Sequence, residues 1–402
     1  MTLKTRLSVL LLSTPVLVFV VVGGLIGRAS SPGGDETIQH LRVFDNVVSL
    51  VLSNYVEEVK VDRAMDGALK GLAEGLDPDS AYLNAQQVAD LQSGSALPDG
   101  DVGLELTRQY YLRVIAARDG SPAAKAGLQT GDYVRGIDGK PTRDMSVFEG
   151  ARLLRGQAGS KITLTVIRGN AAEPHEVPLV REKAPAVVVS GRAATPEVGY
   201  VRIATFGDGV VEQLKKQIAD LSRAGAKSLV IDVRRTAEGP LENGIAAARL
   251  FVKSGTLAMK GGREKAKDKL AAGEKPAARE TISAQSGDGT IELPVQVLVT
   301  TGTSGAAELF AAALDGNKRA ELVGEHTLGR AALQKLVKLP ENRGLWLTYA
   351  RYLTPAGDAI QGKGLKPDVA VEDADVTDFG TPAPDTDPIL DAALARVAKK
   401  AA

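Results

Sequence analysis

Residues 295–316 read VQVLVTTGTSGAAELFAAALDG, and this stretch decides the fold. Val295–Val299 is a short, mostly apolar run interrupted only by Gln296, and it reads as a buried strand. Thr300–Gly305 supplies small and turn-forming residues. From Ala306 to Leu314 an alanine-rich helix follows, stopped by Asp315-Gly316, and Ala320–Val323 reads as the next strand. The same grammar precedes it. An amphipathic helix through Val211, Leu214, Ile218 and Leu221 leads into a second buried strand, Ser228–Val233. Strands alternating with helices over such short connections predict βαβ units, and hence an α/β core, over residues 183–376.

Outward from that core the pattern changes. Residues 96–182 alternate in short apolar–polar runs, Leu112-Val114-Ala116 and Ile162-Leu164-Val166. Turns separate them at Gly127-Leu128, Gly131-Asp132, Gly139-Lys140-Pro141 and Gly169-Asn170. This predicts a small β-rich module. Residues 31–95 read as helical from Glu36 to about Leu91, with a stop at Gly75-Leu76-Asp77-Pro78. Lys260–Gly289, rich in Lys, Glu, Gly and Ala, reads as an exposed insertion. Residues 377–402 read as a Pro- and Asp-rich tail ending in a short helix from Pro388 to Lys400. At the other end, Lys4 and Arg6 precede an uncharged run of 21 residues, Leu7–Gly27, closed by Arg28. That is long enough for a membrane-spanning helix and longer than a signal-peptide core. Residues 1–30 are therefore expected to be an uncleaved signal anchor, with the bulk of the chain outside the cytoplasm.

Composition narrows the chemistry. In 402 residues, 49 basic side chains balance 49 acidic ones, which gives no electrostatic footprint for nucleic acid. The absence of cysteine removes disulfides, thiol nucleophiles and thiolate metal sites. His40, His175 and His326 are scattered, and no metal or other cofactor is expected.

Three stretches carry a family resemblance. Leu76-Asp77-Pro78-Asp79-Ser80-Ala81-Tyr82-Leu83 is similar to the L-D-P-H-S-x-Y-L run of C-terminal-processing (tail-specific) peptidases of the S41 type. Asp101-Val102-Gly103-Leu104-Glu105-Leu106, followed by Ser121–Leu128 and Gly131-Asp132, resembles their PDZ domain. Val297–Val371 resembles their signature region. The resemblance implies a crotonase-like α/β core with an inserted PDZ domain and an N-terminal helical region. It also implies a serine–lysine dyad, in which a neutral amine takes the proton of the attacking hydroxyl. Carried over residue by residue, the middle serine of S-A-S-A-S-E falls on Gly305. The lysine of T-F-G-K-G-x-V-Q falls on Arg330, and Gln334 is retained. In the oxyanion turn R-N-N-P-G-G, the proline falls on Ala237 and the first glycine on Glu238, with Gly239 retained. A guanidinium cannot serve as a base near neutrality, and glycine has no hydroxyl.

The expectation is a degenerate, non-cutting relative that binds protein C-termini or unfolded proteins, or an active relative. Asp101, Val102, Gly103 and Leu104 are expected to form the carboxylate-binding loop. Two other readings are an active endopeptidase with a displaced nucleophile at Ser304, or less favourably Thr303, and a structural envelope scaffold. Ser304 and Thr303 otherwise read as helix N-caps, Lys335 and His326 as surface residues, and Arg330 as an ion-pair partner for a carboxylate such as Glu238.

Overall fold

The computed structural model describes residues 34–94, 97–169, 173–262, 279–374 and 386–401. The expected anchor within residues 1–30 lies outside them, and no helix among the described residues is long and apolar enough to cross a membrane. The described chain forms two compact units divided after Leu69. The first holds α1 (Gly34–Asn54) and the start of α2 (Val61–Glu74). The helical reading of the N-terminal region is interrupted by a strand, β1 (Ala81–Leu83), before α3 (Ala85–Gln92). The Asp77 carboxylate explains the break. It accepts the N–H groups of Asp79 and Ser80 at 2.9 and 2.8 Å and the Ser80 hydroxyl at 2.9 Å, closing a turn that a helix could not contain. Asn84 then caps α3 by bonding the Gln87 N–H, while Gln87 bonds back to the Asn84 N–H.

The β-rich module contains β2 (Gly100–Asp101), β3 (Leu104–Gln109), β4 (Tyr111–Ala117), α4 (Pro122–Lys125), β5 (Tyr133–Ile137), β6 (Lys140–Pro141), α5 (Val147–Leu154), β7 (Lys161–Ile167), β8 (His175–Val180) and β9 (Glu182–Lys183). Its main sheet runs in the order β3-β4-β5-β7-β8, so β3 lies at an edge. Ile162, Leu164 and Val166 point inward on alternate positions of β7, as the sequence pattern requires. The Gly131-Asp132 turn has an electrostatic purpose. Asp132, 1% exposed, is held by Arg168 through bonds of 2.7 and 2.8 Å. The same guanidinium bonds the Gly127 carbonyl, so one buried ion pair fixes both turns.

The remainder is the α/β core. It comprises β10 (Val189–Thr195), β11 (Val198–Ile203), α6 (Val210–Arg223), β12 (Ser228–Asp232), α7 (Leu241–Ala248), β13 (Thr256–Gly262), β14 (Glu280–Ser283), β15 (Val295–Val299), α8 (Ala306–Gly316), β16 (Ala320–Gly324), β17 (Ala332–Lys338), β18 (Gly344–Leu353), β19 (Val369–Ala370) and α9 (Pro388–Ala401). A six-stranded sheet runs β10-β11-β12-β15-β16-β19, parallel except for β10. Every residue of β12 and β15 is buried, which accounts for their mostly apolar runs. One face of the sheet (Val201, Ile231, Val297, Leu322) packs in a single cluster with α6, α7 and α8. The other face (Val198, Val230, Leu298, Val323) packs on Ile389 and Ala393 of α9. On α6, Val210, Leu214, Ile218 and Leu221 are all buried, each contributing roughly 2 kcal/mol. A second sheet joins β1, β18, β13 and β14, with β17 beside β18. The expected insertion from Lys260 to Gly289 is smaller than read, because its flanks are the paired strands β13 and β14. Residues 263–278 lie outside the described residues. The crotonase-like α/β core with an inserted β-rich module is thus as expected.

At the end of β12, Arg234 clasps Asp232 (2.6 Å) and Asp387, which caps α9 (2.7 and 2.8 Å). Both charges of the Asp232–Arg234 pair are under one-tenth exposed. Replacing Arg234 by alanine should leave Asp232 short of a partner and loosen α9 from the sheet. We expect a loss of about 3 kcal/mol in urea unfolding; a change below about 0.5 kcal/mol would show that the clasp is not stabilising.

Candidate active site

The turn after β15 places the residues that the resemblance singles out. Thr303 is fully buried, donating its hydroxyl to the Val233 carbonyl (2.9 Å) and accepting the Thr300 N–H (3.0 Å). Neither Thr303 nor Ser304 caps the helix. The N-cap of α8 is Gly305, at φ +65° and ψ −122°, a conformation that side-chain-bearing residues adopt only under strain. A β-carbon built there would lie 3.6 Å from the Ala237 carbonyl oxygen, 3.6 Å from Leu241 and 3.7 Å from the Arg330 carbonyl oxygen. These are ordinary contacts, so the position faces the oxyanion turn on one side and the 327–330 loop on the other. Gly305, Arg330 and Ala237, where the sequence departs from the pattern it resembles, therefore adjoin in space, although they are separated by 25 to 93 residues in sequence.

Glu308, one turn into α8, holds this arrangement and was given no role by the sequence reading. Fully buried, it accepts four donors: the Gly305 N–H (3.2 Å), the Arg330 N–H (2.8 Å), the Gly329 N–H (2.7 Å) and the Thr327 hydroxyl. Burial pushes its carboxyl above the usual range, and these donors oppose the shift. Gly329 must be glycine: its φ is +87°, and a β-carbon would sit 2.6 Å from the Gly364 nitrogen.

Arg330 extends from this loop toward the N-terminal turn and the β-rich module. Its Nε donates to Asp79 at 2.9 Å, and its Nη1 lies 3.4 Å from Glu105 and from the Leu106 carbonyl oxygen. The expected partner, Glu238, is not the one observed. Glu238 is instead bonded by Arg118 at 2.7 Å. Arg118 rises from the end of β4 and reaches both carboxylates, while Arg330 lies beside β3 and the Asp77 turn. Burial opposes the charge of Arg330, but Asp79 and Glu105 outweigh it and hold the guanidinium above its ordinary range. Position 79 is where the family run L-D-P-H-S-x-Y-L has histidine, so the residue that carries a charge complementary to Arg330 is itself a departure. The sequence signal for Asp79 lay in plain view in a quoted motif, but only the fold brings it to Arg330, 251 positions away.

Arg118 has a second carboxylate. It bonds Asp101 at 2.8 Å, and at 4% exposure it is the buried bridge between Asp101 and Glu238. The two residues that depart from the family's small or glycine positions are thus joined through one guanidinium. Gly239 has φ +122°, and a β-carbon would strike Phe206 at 2.4 Å, so glycine is required there. In the loop 101–104, Gly103 (φ +71°) packs so tightly against Ser121 that a β-carbon would lie 2.3 Å away. Its carbonyl accepts the Arg118 N–H, and that of Val102 accepts the Ala123 N–H. Neither the Val102 nor the Gly103 N–H donates to another of the described residues. Leu104 begins the edge strand β3.

The remaining positions stand apart. Ser304 is 1% exposed and its hydroxyl has no hydrogen-bond partner among the described residues. Gln334 lies on β17 and donates to Thr348 at 3.2 Å, and Thr348 in turn bonds Asp77. Lys335 is exposed, with its ammonium 5.1 Å from the Tyr349 ring centre, and His326 is exposed as well.

Two experiments test this geometry. A double-mutant cycle with Asp79→Asn and Arg330→Gln should return a coupling of about 1–3 kcal/mol by denaturant unfolding; additivity would contradict the ion pair. Glu308→Gln turns an amide N–H₂ toward backbone donors and should cost about 1–3 kcal/mol, whereas an unchanged midpoint would contradict the four-donor cradle.

The comparisons with known proteins follow the same division. Peptidase family S41 matches residues 197–371, and a PDZ domain matches residues 113–168. A carboxy-terminal-processing protease of Bartonella bacilliformis is 31% identical over 342 residues, spanning 84% of this chain and 76% of the relative. A carboxy-terminal processing protease of Bacillus subtilis is 27% identical over 350 residues, spanning 87% and 72%. The solved structure of a photosystem II D1 C-terminal processing protease superposes with a TM-score of 0.66 at 28% identity, covering 80% of this chain and 85% of that one. With its S41 core, its PDZ domain and its likeness to these relatives along most of their length, this chain belongs to the C-terminal-processing peptidase family.

Proposed function

We propose that this chain is a pseudopeptidase, a family member that binds protein C-termini through its PDZ domain, alone or beside an active relative, and does not cut them. Arg330 carries the proposal. Hydrolysis by this family's chemistry needs a hydroxyl and a neutral amine to deprotonate it. The amine's position holds a guanidinium braced by Asp79 and Glu105, and the hydroxyl's position holds Gly305. Ser304 is a poor substitute nucleophile, because its hydroxyl is buried and has no hydrogen-bond partner among the described residues. The oxyanion turn carries the Glu238 carboxylate, whose charge would oppose a developing oxyanion.

Binding has independent support. The free N–H groups of Val102 and Gly103 suit a terminal carboxylate, and the edge strand β3, with α5 packed beside it, suits an added peptide strand. Asp101 would repel such a carboxylate if it stood alone, but its charge is matched by Arg118. The run Leu7–Gly27 would anchor the chain in the inner membrane, with the binding domains in the periplasm or outside the cell.

The test is titration of the purified protein with a fluorescent peptide ending in apolar residues and a free carboxylate. Saturable binding is expected, weakened about tenfold or more by C-terminal amidation, with the peptide intact at the end. Cleavage abolished by Ser304→Ala would favour the displaced-nucleophile reading. Absence of any saturable binding would favour the structural scaffold.

A further inference from the structure

Beside the oxyanion turn lies a cleft of about 480 Å³. Residues of β10, β11 and the end of β12 line it, with Asp119 contributed by the PDZ domain. Its floor is electrostatically closed. Asp232 accepts the Tyr200 hydroxyl at 2.6 Å and is paired with Arg234, and burial together with Asp232 pushes the Tyr200 phenol up, so it stays neutral. Arg202 is matched by Asp119 at 2.8 and 3.1 Å.

The rim differs. Arg192 and Arg235 are both exposed and have no carboxylate partner among the described residues. Each is nevertheless held. The Arg192 guanidinium stacks over the Tyr200 ring, 4.4 Å from its centre, which orients its planar fork. Arg235 has φ +52°, a left-handed conformation uncommon outside glycine, and its N–H bonds the Thr300 hydroxyl at 3.3 Å. The strained backbone presents the side chain to the cleft, where the Ser190 hydroxyl is also exposed.

We propose that this cleft binds a phosphate monoester group between Arg192 and Arg235. One guanidinium fork oriented by stacking, and a second on a constrained backbone, both without carboxylate partners among the described residues, match the several acceptor oxygens of such a group, and its charge of about −2 offsets both. Because Arg235 is the second residue of the oxyanion-turn run 234–239, occupancy would be felt at Thr236–Gly239.

The test is calorimetric titration of the purified full-length chain, at low ionic strength, with inorganic phosphate, glycerol 3-phosphate and soluble dihexanoyl phosphatidic acid. One saturating site with a dissociation constant of about 1 mM or tighter is expected. Arg192→Gln and Arg235→Gln should each weaken it about tenfold or more. Both residues are exposed, so the variants should keep the parent's cooperative unfolding. Equal affinity for the two esters supports a soluble phosphate ligand, and tenfold tighter binding of the lipid supports a headgroup. No saturable heat with any of the three probes, or binding unaltered in the Arg192→Gln/Arg235→Gln chain, would overturn the proposal.

Discussion

One buried carboxylate keeps the two halves of the site in register. Glu308 takes hydrogen bonds from Gly305 on its own helix and from Thr327, Gly329 and Arg330 on the facing loop. With all four donors aimed at one group that water cannot reach, neither loop can shift without leaving a charge or an N–H unsatisfied. The frame of a peptidase site is thereby maintained at the backbone level, independently of which side chains project from it. That independence is what allows Gly305 and Arg330 to stand where the resemblance assigns a nucleophile and a base without collapse of the fold.

What fills the frame is a set of ion pairs. Arg330 ties the core loop to Asp79 of the N-terminal turn and to Glu105 of the PDZ edge strand. Arg118 ties Glu238 of the 234–239 turn to Asp101 of the 101–104 loop. Each charged departure from the family pattern meets a charge of opposite sign: Arg330 meets Asp79, and Glu238 and Asp101 both meet Arg118. A lone carboxylate or guanidinium in these half-buried positions would be costly, and the pairs remove that cost. The PDZ domain is consequently fastened to the core by the pairs at Arg330 and at Glu238.

Much of this was legible in the sequence. Mostly apolar runs gave β12 and β15 because a strand covered on both faces has no polar side to show, and the spacing of Leu214, Ile218 and Leu221 gave α6. The short strand β1 was missed because the Asp77 turn that creates it is made by side-chain bonds with no periodic signature. Family motifs singled out Gly305 and Arg330, and the backbones of the two adjoin. Those motifs could not supply the partner of Arg330, since charge pairing between residues 251 positions apart is a property of the fold. Glu308 was quoted in a motif, yet its role as a four-fold acceptor depends on the loop that the helix faces.

The account stands on the absence of an activatable hydroxyl beside a base. Its most direct test is the intact mass of the purified chain after prolonged incubation with a serine-directed fluorophosphonate. The account predicts an unchanged mass, and a stoichiometric adduct mapping to Ser304 or Thr303 would contradict it.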